Sequence, residues 1–367
     1  MTDRIKSMAA RWTVAVPVLA VVLLGLTWGR DLPGSIVVVV TLVLAGAVLA
    51  AVHHAEVVAH RVGEPFGSLV LAVAVTVIEV ALIVTLMLDG GDKSATLARD
   101  TVFAAVMITC NGIVGISLLV GSLRHKTAVF NAEGTGAALA TVTTLATLSL
   151  VLPTFTTSKP GPEFSTVQLT FAAVASLSLY GLFVATQTVR HRDYFLPVAK
   201  QGEPSGPEEE HAEAPSTRTA LISAGLLLLA LIGVVGLAKG VSPTIESGVE
   251  AAGLGHGVVG VIIALLVLLP ETIAAVRAAR RNHVQTSMNL ALGSAMASIG
   301  LTIPAVALAS LWLPGALVLG LGSTHMVLLA LTVVVSALTV VPGRATPLQG
   351  GVHLVLLAAY LELAINP

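Results

Sequence analysis

The chain has 367 residues, 55% of them hydrophobic and 11% charged, with a formal net charge of −1 and a mean hydropathy of +0.94. Soluble domains carry about 25% charged residues, so this composition excludes one and defines a polytopic membrane protein. The near-zero net charge gives no sign of a nucleic-acid partner, and a single cysteine, Cys110, excludes an intramolecular disulfide.

Arg4, Lys6 and Arg11 precede an apolar run from Trp12 to Trp28 that no small-x-small cleavage site follows, so a transmembrane helix is expected there and not a removed signal. A hydropathy window of about 19 residues then predicts eleven spans, over 12–29, 35–60, 66–88, 101–123, 136–155, 166–189, 218–238, 257–278, 282–311, 315–341 and 349–365. Lengths of this order match a hydrocarbon core of about 30 Å crossed by helices at 1.5 Å per residue. The alternating segments of about ten residues that a β-barrel needs are absent. The expected fold class is therefore an all-α polytopic membrane protein.

Basic residues set the expected orientation. With a cytoplasmic N-terminus the inner face collects Arg4, Lys6, Arg11, Arg61, Arg124, Lys126, Arg190, Arg192, Lys200, Arg218, Arg277, Arg280, Arg281 and Arg344, fourteen of the nineteen Lys and Arg. The outer face receives Arg30, Lys93, Arg99, Lys159 and Lys239, which satisfies the positive-inside rule and puts the C-terminus outside.

Between the sixth and seventh spans, the stretch from Lys200 to Arg218 holds Glu203, Glu208, Glu209, Glu210 and Glu213 with three prolines and almost no apolar side chain. Such a segment cannot bury enough surface to order itself, and a cytoplasmic acidic linker is expected, either a simple connector or a weak cation sensor. It separates five spans from five. Because five is odd, the second set enters the membrane from the opposite side, the inverted-repeat plan of secondary transporters. The expected organisation is an N-terminal tail and extra helix over 1–33, a first repeat over 34–195, the linker over 196–217 and a second, inverted repeat over 218–367.

Two glutamates mark the repeat. Glu79 and Glu271 each lie inside an apolar segment, and each follows a glycine, Gly63 or Gly255, by sixteen residues. A carboxylate at membrane depth costs at least ~2.5 kcal/mol on insertion scales and points to ion or proton handling. No Lys or Arg lies within either apolar segment before Arg277. A carboxyl group taken out of water without a cationic partner favours its neutral form, so it can hold a proton and exchange it for a cation on the same oxygens. Further candidates follow from position. Thr76 lies three residues before Glu79 on the same helical face; Pro270 cannot donate to the carbonyl of Leu266, which becomes a candidate ligand in a broken helix. Asn111 and Asn289, each followed four residues later by a glycine, fall mid-membrane as cation ligands or as helix-helix glue. His53, His54, Glu56 and His60 close the second span, and His325 lies in the tenth; His54, Glu56, His60 and His325 are candidate pH-sensing groups, with interfacial or core packing the alternative.

The runs His54-Ala55-Glu56, Gly63-Glu64-Pro65-Phe66-Gly67, Ile78-Glu79-Val80, Pro270-Glu271, Met288-Asn289-Leu290 with Gly293-Ser294, and Gly343-Arg344 with His353-Leu354 resemble the ChaA-type calcium or sodium/potassium to proton antiporters of the cation/Ca²⁺ exchanger superfamily. The resemblance covers nearly the whole chain. It implies a ten-helix inverted-repeat core with an extra N-terminal helix, a bacterial cytoplasmic membrane, and Glu79 and Glu271 as the central carboxylates. Vacuolar members of the superfamily carry an asparagine three residues before each glutamate, where this chain has Thr76 and Leu268. Fewer neutral oxygens imply weak Ca²⁺ binding and admission of Na⁺ or K⁺, since Ca²⁺ seeks six to eight oxygen ligands.

The sequence thus predicts a cation/proton antiporter working by alternating access, with inorganic cations, protons and the bilayer as its partners, no enzymatic activity and no cofactor beyond the transported Ca²⁺, Na⁺, K⁺ and H⁺. Glu79 and Glu271 are the expected metal-binding groups. No Gly-x-x-x-x-Gly-Lys motif is present, so an ion gradient is the expected energy source. Sodium/calcium exchange without proton coupling, a channel, and an intramembrane enzyme are the alternatives.

Overall fold

The computed structural model describes residues 2–30, 32–63, 66–89, 95–198, 215–255, 257–312 and 315–366. Most of the acidic linker, and Glu64 and Pro65 of the Gly-Glu-Pro-Phe-Gly run, lie outside the described residues.

Among the described residues eleven long helices follow in chain order: α1 Thr2–Thr27, α2 Gly34–Val62, α3 Phe66–Asp89, α4 Leu97–His125, α5 Ala132–Phe155, α6 Thr166–Arg190, α7 Thr217–Ala251, α8 Gly257–Arg280, α9 Val284–Ala309, α10 Ser323–Val340 and α11 Pro347–Ile365. Ten are long and apolar enough to cross a membrane, and α1 contributes a shorter apolar helix, Trp12–Thr27. Inside lipid every backbone N–H and C=O must be satisfied within its own segment, which is why apolar runs of this length form helices. Several starts are written in the local sequence. Asn131 accepts from the backbone N–H of Glu133 and Gly134 at the start of α5, while Ser165 with Gln168 and Thr346 with Gln349 form reciprocal capping boxes on α6 and α11.

Three helices depart from the hydropathy reading. α7 has 35 residues, a length of about 52 Å at 1.5 Å per residue, and so runs on past Lys239, where the apolar segment stops; hydropathy marks the membrane edge, whereas backbone hydrogen bonding continues beyond it. α9 is interrupted at Leu301, between Val284–Gly300 and Thr302–Ala309, because Pro304 has no N–H to give the carbonyl of Gly300. α10 begins only at Ser323. The apolar residues before it run without helix and hydrogen-bond across the fold, Val318 N to Ala95 O, Gly320 N to Pro162 O and Leu321 N to Leu150 O.

Two compact units result, each drawing on both halves of the sequence: residues 1–89 with 207–256, and residues 90–206 with 257–367. In the first, α7 packs along α2 and α1, and α3 packs on α2 and α7. A Cβ at Gly233 of α7 would lie 2.7 Å from the Cβ of Ala20, so the small residue sets the closeness of α1 and α7.

In the second unit α4 is the central post, flanked by α8, α9 and α11 and buried over 89% of its apolar window. Its middle widens into a π-type turn, Ile108–Ile113. Beside it α11 crosses closely: a Cβ at Gly350 would lie 2.6 Å from the amide nitrogen of Leu119, and one at Gly115 would lie 3.0 Å from the Cβ of His353. The loops after α4 and α10 meet in a two-residue antiparallel pairing, β1 Ala128–Val129 with β2 Arg344–Ala345, in the register Ala128 to Ala345. Gly343, at φ 65°, makes the turn that feeds β2.

Counted along the chain, α2–α6 and α7–α11 correspond helix for helix. The second helix of each set carries a glutamate near its middle, and the third departs from a regular α-helix, by a π-type turn in α4 and by a break in α9; π-type turns also end α6 and interrupt α5, at Thr186–Arg190 and Thr147–Val151.

Candidate functional site

Glu79 stands near the middle of α3, in the first unit, and is 3% exposed; Thr76, one turn before it, is also buried. Glu271 occupies the corresponding place on α8, in the second unit, and is half-buried together with Leu266 and Pro270. α8 runs without a break through Pro270, so the proline does not divide the helix as expected, although by its chemistry it still withholds a donor from the Leu266 carbonyl. Ser287 of α9 donates to the carbonyl of Ala275 at 2.8 Å, one turn beyond the glutamate, and its Oγ lies 2.6 Å from Ser117 Oγ of α4. Both serines are fully buried. This brace between α4, α8 and α9 was not legible in the sequence, where a serine gives no sign of its partner.

Asn111 and Asn289 each hydrogen-bond through both the oxygen and the nitrogen of the amide within the second unit. Asn111 is 0% exposed at the centre of α4. Its Nδ2 donates to Thr332 Oγ1 of α10 at 2.9 Å, and its Oδ1 lies 3.1 Å from Nδ1 of His353 on α11. Asn289, half-buried on α9, donates from Nδ2 to the carbonyl of Phe195 at 2.7 Å and accepts at Oδ1 from Gln285 Nε2 at 2.8 Å. Gln285 in turn accepts from the backbone N–H of Asn131 at 2.6 Å. Asn289 therefore ties the short helical turn Arg192–Phe195, which follows α6, to α9. The i, i+4 spacing of Gln285 and Asn289 was the sequence signal for that pair. Each amide oxygen accepts one of these hydrogen bonds and keeps a second lone pair, and both amides link neighbouring elements in this arrangement.

The histidines separate. His54 is buried on the side of α2 that meets α1, and its Nε2 donates to the carbonyl of Thr13 at 2.9 Å. His53, Glu56 and His60, at i, i+3 and i+7, share the exposed side of the same helix. His325 is half-buried at the start of α10, with its ring 4.9 Å from that of Phe103 and 6.3 Å from that of Tyr360. Close by in sequence to Phe103, Asp100 belongs to α4 and is buried, which the hydrophilic composition of residues 89–100 did not suggest. It accepts from Arg99 Nε and Thr96 Oγ1, each at 2.8 Å. No group of three or more His, Cys, Asp and Glu that could hold a metal ion is found among the described residues.

Two sets of five corresponding helices, each with a mid-membrane glutamate on its second member and an irregular third member, define a secondary transporter of the inverted-repeat class. The chain belongs to the sodium/calcium exchanger protein family, which it matches over residues 33–189 and 222–366. It is 46% identical over 363 residues to y4hA of Sinorhizobium fredii (strain NBRC 101917 / NGR234), covering 97% of this chain and 96% of that one. It is 35% identical over 363 residues to the sodium-potassium/proton antiporter ChaA of Escherichia coli (strain K12), covering 98% and 97%. Among solved structures it superposes on the H⁺/Ca²⁺ exchanger CAX with a TM-score of 0.68 at 15% identity, covering 98% of this chain and 88% of that one, a likeness of fold.

Proposed function

We propose that this chain is a secondary active antiporter that exports Ca²⁺, Na⁺ or K⁺ from the cytoplasm in exchange for protons by alternating access. The observation that carries the reading is the pair of glutamates, one midway along the second helix of each repeat, in a chain of this family. Each carboxyl group holds either a proton or part of a cation's charge, so loading one releases the other. Thr76 Oγ1 and the Leu266 carbonyl, which Pro270 leaves without its helical donor, complete the proposed ligand set. The hydrogen bonds of Asn111 and Asn289 support a bracing role for both in the conformation described.

Proton coupling is favoured over sodium/calcium exchange by the relative ChaA, a sodium-potassium/proton antiporter. That relative also supports transport in place of enzymatic chemistry. The distribution of Lys and Arg supports a cytoplasmic N-terminus and an external C-terminus, and the family and the spacing of the glutamates support repeat boundaries at 34–195 and 218–367.

The test is a proton gradient built in everted membrane vesicles. Adding Ca²⁺, Na⁺ or K⁺ collapses it, more strongly near about pH 9 than near about pH 7, because fewer protons then compete for the carboxylates. No collapse by any of the three cations overturns the antiporter reading.

A further inference from the structure

His353 belongs to a run singled out in the sequence, and neither the fold nor the exchange reaction has yet given it a task. It is 0% exposed on α11, and its imidazole is held on both sides. Nδ1 lies 3.1 Å from Oδ1 of Asn111, and Nε2 lies 3.2 Å from Oγ1 of Thr339 on α10. Asn111 continues the chain by donating to Thr332, two turns of α10 before Thr339. The polar path thus leaves α10, crosses α4 and α11, and returns to α10, and all four of its side chains are buried.

The chemistry of these partners fixes the form of the ring. An amide oxygen only accepts, so the nitrogen facing Asn111 Oδ1 carries the hydrogen; a hydroxyl can donate, so Thr339 satisfies the other nitrogen as an acceptor. Among the described residues no carboxylate hydrogen-bonds the ring; titratable side chains on the elements packed about it include Cys110 of α4 and Tyr360, two turns along α11. An imidazolium here would be a buried charge with no counter-ion, which the interior disfavours strongly. Both Asn111 and Cys110 belong to the π-type turn Ile108–Ile113, and turns of this kind inside helices recur at functional sites.

We propose that His353 is a positioning residue for exchange: as a neutral Nδ1–H imidazole it holds the widened turn of α4 and the orientation of the Asn111 amide, and it does not itself carry transported protons. The part that concerns exchange rests on the antiporter reading; the tautomer does not. An asparagine at 353 places its amide nitrogen close to where Nδ1 stands and keeps the donor to Asn111. A glutamine places its amide near Nε2 and keeps only the link to Thr339.

The test combines the full-length protein, labelled with ¹⁵N-histidine, with vesicle exchange assays of His353→Asn, His353→Gln and His353→Leu. The ¹⁵N signal lost in His353→Asn is expected to report a neutral Nδ1–H ring from about pH 6 to about pH 9. Exchange by His353→Asn is expected to stay within about threefold of the parent with an unmoved pH midpoint, whereas His353→Gln and His353→Leu lose about tenfold or more in maximal rate, the scale of a buried acceptor left unpaired. An Nε2–H ring or an imidazolium in that range overturns the proposal. So does a shift of the pH midpoint by about one unit in His353→Asn, the mark of a proton carrier, or a His353→Leu protein with parental exchange. If the glutamine and leucine variants fail to fold, the ¹⁵N signal and the His353→Asn profile decide. If the parent itself shows no exchange, the tautomer remains testable by the ¹⁵N signal alone.

Discussion

Replacing Asn289 by alanine separates a bracing role from a ligand role. The substitution removes two hydrogen bonds, 2.7 Å to the Phe195 carbonyl and 2.8 Å from Gln285. Interhelical hydrogen bonds in membrane proteins average about 0.6 kcal/mol, so two of them set a floor of about 1 kcal/mol. Phe195 and Gln285 are both buried, and a buried polar group left without a partner costs about 1–3 kcal/mol. Gln285 keeps Asn131 as a donor and Thr135 at 3.5 Å, which limits its share and brings the expected total to roughly 1–4 kcal/mol. In detergent the Asn289→Ala protein should therefore melt at least about 2 °C below the parent, with the half-saturating cation concentration in everted vesicles changed by less than about twofold. A variant that melts like the parent but needs far more cation would refute the brace and make Asn289 a ligand.

The two acids lead to a sharper expectation: Glu79→Gln and Glu271→Gln keep size and remove the exchangeable charge, so each should abolish proton-coupled flux while inserting and folding normally, and near-parental antiport in either would sink the paired-carboxylate scheme. Deleting Gly202 to Pro215 should leave transport intact, because a polar connector needs only enough length to join α6 to α7; a folded but inactive deletion protein would assign the acidic segment a direct role. On selectivity, two carboxylates balance one divalent ion, but Thr76 and Leu268 supply fewer neutral oxygens than a tight calcium cage requires, so Ca²⁺ should bind weakly and Na⁺ or K⁺ should also be carried. Titrating each cation into everted vesicles checks this, and a response confined to micromolar Ca²⁺ would refute it.

The sequence by itself determined the class, the helices and the repeat, because these depend on properties that lie along the chain. Hydropathy marks each crossing, the odd number of spans per half forces inversion, and a carboxylate such as Glu79 or Glu271 stands out against its apolar neighbours whatever it later touches. Asn111 and Asn289 were visible for the same reason, as amides at membrane depth. What they bind was not, since a hydrogen bond 242 residues distant in sequence, as from His353 to Asn111, leaves no local trace. The same holds for the serine brace that joins Ser117 to Ser287, and for the apolar residues before α10, which hydropathy counts as helix and long-range hydrogen bonds hold outside it. Only the tertiary structure decided these. In lipid the apolar faces of helices are nearly interchangeable, and the choice of neighbours falls to small residues that permit close approach and to polar groups that must find one another.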